Sequence, residues 1–480
     1  MIDTNQTEVI IPETIDGMRV TGVLGNFGLS NRNISTVVMP DSITWIESGA
    51  FGWCENLSKV KFSNTLLYIG EGAFYNCALT ELELPESLIW IKSNAFEDSI
   101  ASSYQGNYED ICIKIPNSVV EIGEGAFSWN ERLIGFELAE ENENFELDRG
   151  VLYTKGYEEL LCMPPALMYS RYQVREECRK IAGSAFIDCD SLEYIVIPAS
   201  VEKIGEQAFY GCENLKEIDL PESLTKIDFW AFGFCESLQE VVIPEAVTEI
   251  GAQAFADCTS LQSVYISKNL REIATDAFDE CYELISFIVD ENNECFDAME
   301  GVLFDKLHSK LLKYPAGKTD VEYSIPEGVT EIEANAFLCS NNLVKVRIPQ
   351  GVVKIGESAF QYSRNLEDIV IPNTIEQIGR WAFDYTKWRE MQLEGESEFV
   401  VNGIFLESQD KGNNISIQEG VVCISGHAFD FMDELRTVTL PEGVTRIESF
   451  AFPMCTVLEK VEIPESVKYI GDEAFWGVTM

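Results

Sequence analysis

Residues 217–258 read EIDLPESLTKIDFWAFGFCESLQEVVIPEAVTEIGAQAFADC, nearly the same statement made twice. Leu220-Pro221-Glu222-Ser223-Leu224 returns as Ile243-Pro244-Glu245-Ala246-Val247. Trp230-Ala231-Phe232-Gly233-Phe234-Cys235 returns as Gln253-Ala254-Phe255-Ala256-Asp257-Cys258. A fixed step of this length is the signature of a repeat array, in which each unit lacks enough chain to bury its own apolar side and needs its neighbours to do so.

Followed outward, the Ala-Phe pair recurs with Phe at 51, 74, 96, 127, 186, 209, 232, 255, 278, 337, 360, 383, 429, 452 and 475. Most steps are 23 residues; 383→429 is twice 23, and 127→186 and 278→337 are both 59, or 23 plus 36. Steps of 22 and 31 flank Phe96. One unit runs Leu-x-x-Ile-x-Ile-Pro-x-x-Val-x-x-Ile-Gly-x-x-Ala-Phe-x-x-Cys. Its first part, as in LKEIDLP (215–221), alternates apolar and polar residues like a strand. The proline lacks an N–H and so ends that strand. VEKIG (201–205) reads as a second short extended piece and EQAFYGC (206–212) as a turn or short helix. Stacking sets each strand beside the next in a parallel sheet and each Phe on the Phe one rung away, so fifteen Phe in register are expected to form one spine. The Gly of Ile-Gly is replaced by Glu47, Lys92, Asp228, Ala274, Glu333, Ser425 and Glu448 in other units. A position that tolerates those residues requires no positive φ.

The unit SVEKIGEQAFYGCENLKEIDLPESLTKI (200–227) resembles the BspA-like, Treponema pallidum-type leucine-rich repeats of bacterial surface proteins, over nearly the whole chain. GVLYTKGYEELLCMPPA (150–166) and GVLFDKLHSKLLKYPAG (301–317) resemble the Gly-Val-Leu hairpin module common in that family, and NGIFLESQDKGNNISI (402–417) a degenerate third copy. The expected fold is an α/β, β-rich repeat protein: one right-handed leucine-rich-repeat solenoid over 1–480. A parallel sheet lines one face and short strands or helical turns the other, with longer hairpin modules near 138–180, 288–330 and 393–425. The resemblance implies a secreted or cell-surface protein that adheres to a host or neighbouring-cell protein, matrix and plasma proteins among them. It carries no set of binding residues.

Composition sets further bounds. With 81 acidic against 34 basic residues the net charge is −47, which disfavours nucleic acid and anionic membrane and favours solubility and basic partners. No apolar run is long enough to span a membrane, and the opening MIDTNQTEVI carries no signal peptide. TEVIIPETIDG is already in repeat register and DEAFWGVTM stops before the strand that should follow, so both ends are expected to be cut from a longer protein that carries the leader and anchor. A monomer is expected.

Chemistry-bearing residues are sparse. Of 14 cysteines, Cys54, Cys77, Cys189, Cys212, Cys235, Cys258, Cys281 and Cys455 lie three residues after the repeat Phe. Asn130, Ser99, Ser363, Thr386, Met432 and Val478 fill that place elsewhere, which a required metal ligand or bridge would not tolerate. Buried thiols, some bonded to a turn backbone, are expected. His308 and His427 have no second His or Cys at ligand spacing, so neither metal site, cofactor nor catalytic residues are assigned; a hydrolase using either His is the third-ranked reading. The acidic segments EENENFELD (140–148), DENNECFD (290–297) and EGESEF (394–399) lack the spacing of a known calcium loop and read as turns.

A solenoid offers its exposed sheet as a binding surface. The outward residue of each Ile-x-Ile-Pro strand is charged or mixed toward the ends of the chain. From Val196 to Ile288 four of five are apolar or aromatic. The expected ligand-binding residues are therefore Tyr194, Val196, Val242, Tyr265 and Ile288. The alternative is a structural spacer that presents other modules of a longer surface protein.

Overall fold

A computed structural model describes residues 7–27, 33–100, 109–139 and 142–478. The chain divides into two compact units: residues 1–259 with 272–277, and residues 260–271 with 278–480. Each is a stack of rungs with almost no helix.

In the first unit, the strands that precede the prolines pair in parallel, as in Glu8–Ile10 with Thr36–Val38 and Lys59–Lys61, and Arg171–Gln173 with Tyr194–Val196 and Glu217–Ile218. Pro198, Pro221 and Pro244 each accept a hydrogen bond from the residue three further on (3.0–3.1 Å), so the proline that ends one strand opens the turn to the next. The Ile-Gly strands form a second parallel ladder. Ile181, Ile204, Ile227, Ile250 and Ile273 pair in succession, one period apart. The second unit repeats both ladders, for example Glu322–Ser324, Lys345–Arg347 and Asp368–Val370, and Glu331–Ile332, Lys354–Ile355 and Gln377–Ile378.

The Ala-Phe segment is a pair of turns rather than a helix. The residues two before and two after the Phe sit in the left-handed region, among them Gln207 (φ 56°), Trp230 (52°), Phe234 (57°) and Gln253 (54°). Each such non-glycine residue costs about 1 kcal/mol or more. The return is a third row of hydrogen bonds along the stack. Gln207, Phe209 and Gly211 donate to the carbonyls of Phe229, Ala231 and Gly233 at 2.8–2.9 Å. The Gly of Ile-Gly, as at Gly205 and Gly251, has ordinary φ, as expected. Its reason is close approach instead: a Cβ on Gly205 would lie 2.5 Å from the backbone nitrogen of Gly183 in the preceding rung.

The expected aromatic spine exists in segments. Phe51, Phe74, Phe96 and Phe127 stack at 5.2–5.7 Å with rings within 12° of parallel, and Phe186, Phe209, Phe232 and Phe255 at 4.8–5.2 Å. In the second unit Phe337, Phe360 and Phe383 form one stack and Phe429, Phe452 and Phe475 another. The single column of fifteen is corrected, because each hairpin module interrupts it. Tyr314 then caps Phe337 (5.1 Å) and Phe405 caps Phe429 (5.3 Å).

Each of the three modules contains an antiparallel hairpin. Phe145–Asp148, Val151–Thr154 and Glu159–Cys162 run antiparallel before the last joins the Ile-Gly ladder at Lys180–Ile181. Phe296–Met299, Val302–Asp305 and Lys310–Lys313 repeat that order. The degenerate copy is one strand shorter: Glu398–Val401 pairs with Ile404–Ser408, which itself joins the ladder at Cys423–Ile424. The acidic segments before the first two are turns built on a buried Asn. Asn293 donates to Ser267 (2.7 Å) and Leu270 (3.1 Å) and accepts from the amides of Cys295 and Phe296 (2.8 and 2.7 Å). Asn142 accepts from Asn144 and Phe145 in the same way. Residues 140–141 of the first acidic segment lie outside the described residues.

Candidate functional site

The position three after the Phe shows how this fold uses polar atoms. Cys212, Cys235 and Cys258 are buried free thiols whose Sγ reaches the carbonyl of Phe186, Phe209 and Phe232 in the preceding rung at 3.1–3.3 Å. Ser363 does the same to Phe337 (2.7 Å) and Asn130 to Phe96 (2.8 Å). Small donors are interchangeable at these rungs, and Met432 and Val478 fill the place without one. Burial pushes the Cys212 and Cys235 thiols well upward, so they stay protonated and unreactive at neutral pH. His308 pairs through Nε2 with Asp297 (2.8 Å) against the ring of Phe304. His427 pairs through Nδ1 with Asp430 (3.2 Å) and lies flat on Phe450.

The outward sheet positions divide into two kinds. Val196, Val242 and Ile288 are 57%, 62% and 51% exposed. Tyr194 and Tyr265 are half-buried and engaged. Tyr194 lies between the cations of Arg171 (4.4 Å) and Lys216 (5.7 Å), and Tyr265 donates to Asp290 (3.0 Å). Tyr194 and Val196 share one strand of a three-stranded sheet; Tyr265 and Ile288 are register partners in the second unit. Val242 belongs to a different sheet from Val196. The first unit's face opens between Glu217–Ile218 and Glu240–Val242, where Lys216, Glu217, Asp219, Glu240 and Val242 line a cleft of about 440 Å³.

A second surface of the first unit went unread in the sequence. Three left-handed residues of the Ala-Phe turns, Trp129, Trp230 and Phe234, are half-buried aromatics, and Tyr210 directly follows its repeat Phe. Trp129, Tyr210, Trp230 and Phe234 touch in sequence at 5.1–5.5 Å, with Phe229 beside Trp230. Around them stand carboxylates with raised pKa. Asp188 is pushed up to about 7, first by burial and then by Asp190, Glu213, Asp98 and Glu131. Burial and Asp98 push Glu97 to about 7. Asp98 and Asp190 shift the same way. An aromatic platform beside crowded, partly protonated carboxylates suits a cation better than an anion. The signal in the sequence was the aromatic residue two places either side of the Phe. It reads as noise until those positions are known to be left-handed and only half-buried.

The family model described as a BspA type leucine rich repeat region matches residues 22–146, 179–299, 319–411 and 402–480. Among solved structures, a leucine rich cell surface protein from Faecalibacterium prausnitzii is 23% identical, over 95% of this chain and 88% of that one, with TM-score 0.43. A leucine-rich repeat protein from Eubacterium ventriosum is 22% identical over 70% and 94%, TM-score 0.47. The leucine rich repeat protein of T. pallidum is 23% identical over 47% and 88%, TM-score 0.30. No curated protein matches the chain. No helix among the described residues is long and apolar enough to cross a membrane.

Proposed function

Since the chain belongs to the BspA-type leucine-rich-repeat family, we propose that it is a non-catalytic binding protein at the cell surface or outside the cell, which adheres to a macromolecular partner, a host or neighbouring-cell protein. The proposed contact residues are Val196, Val242 and Ile288, with Tyr194 and Tyr265 as their aromatic flanks. The observation that carries this reading is the exposure of three aliphatic side chains at outward sheet positions in a chain of net charge −47. The 23-residue step runs without interruption from Phe186 to Phe278, which supports one array over that stretch; residues 1–480 as a single array and a monomer are part of the proposal.

The acidic aromatic turn face favours a second contact, with a basic segment of the same or another partner. Binding to matrix and plasma proteins at physiological salt separates the two. Loss of a hit on Val242→Asp or Ile288→Asp, with little salt dependence, supports the sheet face. A hit that survives those changes but fades with added salt and with Trp230→Ser supports the turn face. If nothing binds, the spacer reading replaces both.

A further inference from the structure

The doubled step between Phe383 and Phe429 leaves one Ala-Phe rung missing from the turn side of the second unit. In the other two modules the chain supplies the substitute. Met163 donates its N–H to Ala185 (2.7 Å), and Tyr314 donates to Ala336 (2.7 Å), each followed by a proline. The third module is a strand shorter and supplies none. Among the described residues no backbone N–H reaches the carbonyl of Gly426, Ala428 or Asp430, and the N–H groups of Trp381, Phe383 and Tyr385 find no acceptor.

Both rims nevertheless keep the rung conformation, with Trp381, Tyr385, His427 and Phe431 all left-handed. In that conformation Phe360 donates to Ala382 (2.7 Å), so the same N–H of Phe383 is aimed at the empty place. What remains is a slot of about 530 Å³. Both backbone rims line it, with Trp381, Tyr385 and Phe431 at its mouth. Phe431 is 78% exposed. Arg380 pairs with Asp430 and with the face of Trp381, while Arg389 holds Asp384 (3.2 Å).

We propose that this slot binds an extended peptide segment of a partner protein, which takes the place of the missing rung by main-chain hydrogen bonding. The inserted residue donates to Ala428 and accepts from Phe383, as strand addition does at a sheet edge. The chain's own substitutes indicate its pattern: an apolar or aromatic residue followed by proline. In the second module the preceding Lys313 pairs with Asp279 (2.5 Å), one residue after Phe278. Asp384 occupies the equivalent place after Phe383, where Arg389 already pairs with it, so a cation before the aromatic residue is not required here. This goes beyond the sheet-face reading and is tested separately from it.

The probe is the labelled synthetic peptide LLKYPAG, the sequence of residues 311–317, added to the full chain. Fluorescence polarisation is expected to show saturable binding below about 1 mM. Methylating the tyrosine amide nitrogen of the peptide should weaken it at least about tenfold, the loss of one buried main-chain bond. Phe431→Ala should weaken binding, while Met454→Ala, at the corresponding place one rung on, should not. Hydrogen exchange of the Phe383 amide should be faster than that of Phe360 in the free chain and slow on peptide addition. Absence of binding at 1 mM overturns the proposal. So does equal binding of the N-methylated peptide, or a Phe383 amide as protected as Phe360 before any peptide is added. None of these outcomes depends on Val196, Val242 or Ile288, so failure here leaves the sheet-face reading standing.

Discussion

Asp188→Asn should stabilise the first unit at alkaline pH and do nothing for it in acid. In the folded chain the Asp188 carboxyl titrates at about 7 instead of 3.8, first because it is partly buried and then because Asp190, Glu213, Asp98 and Glu131 surround it. A shift of that size corresponds to roughly 4 kcal/mol of gross penalty on the charged form. A carboxyl that still touches water and salt keeps only part of it, so about 1–2 kcal/mol is the working figure. The folded state holds the proton more tightly than the unfolded chain. The penalty is therefore absent below about pH 4, grows as pH rises through the window to about 7, and is complete above it. Asparagine removes the charge at every pH. Urea unfolding of the two proteins at pH 8 should differ by about 1–2 kcal/mol in favour of the variant, and by pH 4 the two curves should coincide. Glu97, raised to about 7 by burial and Asp98, adds to the same trend in the parent chain. A variant no more stable at pH 8, or one whose advantage persists unchanged at pH 4, would refute the electrostatic account of this face.

Truncating the spine at Phe232→Ala should cost about 3–5 kcal/mol, because the ring is fully buried and stacked on both Phe209 and Phe255; thermal unfolding monitored by circular dichroism reads it. Cys212→Ser should be nearly neutral, since serine makes the same bond at Ser363, whereas Cys212→Val should cost about 1 kcal/mol by removing one of the two hydrogen bonds to the Phe186 carbonyl, which keeps the Cys189 amide (3.2 Å); urea midpoints of the two variants decide it. Asn293→Ala removes four hydrogen bonds at a buried turn and should loosen the second hairpin module, seen as faster amide exchange at Cys295 and Phe296. If the acidic turn face takes a basic segment, that binding should strengthen between pH 6 and pH 8 as Asp188 and Glu97 ionise; titration calorimetry at both pH values checks it.

The repeat made the ladders legible. A residue pattern that returns every 23 positions fixes which residues pair, and Ile181 through Ile273 pair in that order. The tolerance of the Ile-Gly position for Glu, Lys and Asp correctly ruled out positive φ there, yet the close approach of successive rungs lay beyond a one-dimensional reading. The left-handed pairs around each Phe were invisible for a different reason. Glycine usually announces such positions, and here Trp, Gln, Asn and Tyr fill them because three hydrogen bonds to the next rung offset the strain. The outward positions were readable from strand alternation alone. That Tyr194 and Tyr265 are held by neighbours depends on Arg171, Lys216 and Asp290, which lie a rung away and carry no motif.

Regular rungs are interchangeable, and for that reason they are poor places for specificity. A stack of identical units presents the same surface every 5 Å or so, and a ligand held by one unit is held nearly as well by the next. Discrimination has to come from where the period fails. The hairpin modules are such places, and they differ in what they leave behind. The first two give the middle carbonyl of the next rung its donor, Met163 at Ala185 and Tyr314 at Ala336. The third leaves Ala428 without a donor and Phe383 without an acceptor. Unmade main-chain bonds at a buried rim carry a cost that the chain could have removed by keeping the third strand. Their persistence beside exposed Trp381, Tyr385 and Phe431 is what a site looks like when its last element is supplied from outside. If that is so, restoring the third strand by grafting residues 310–317 into the module should raise stability and abolish peptide binding together. Either effect without the other would break the link between the two.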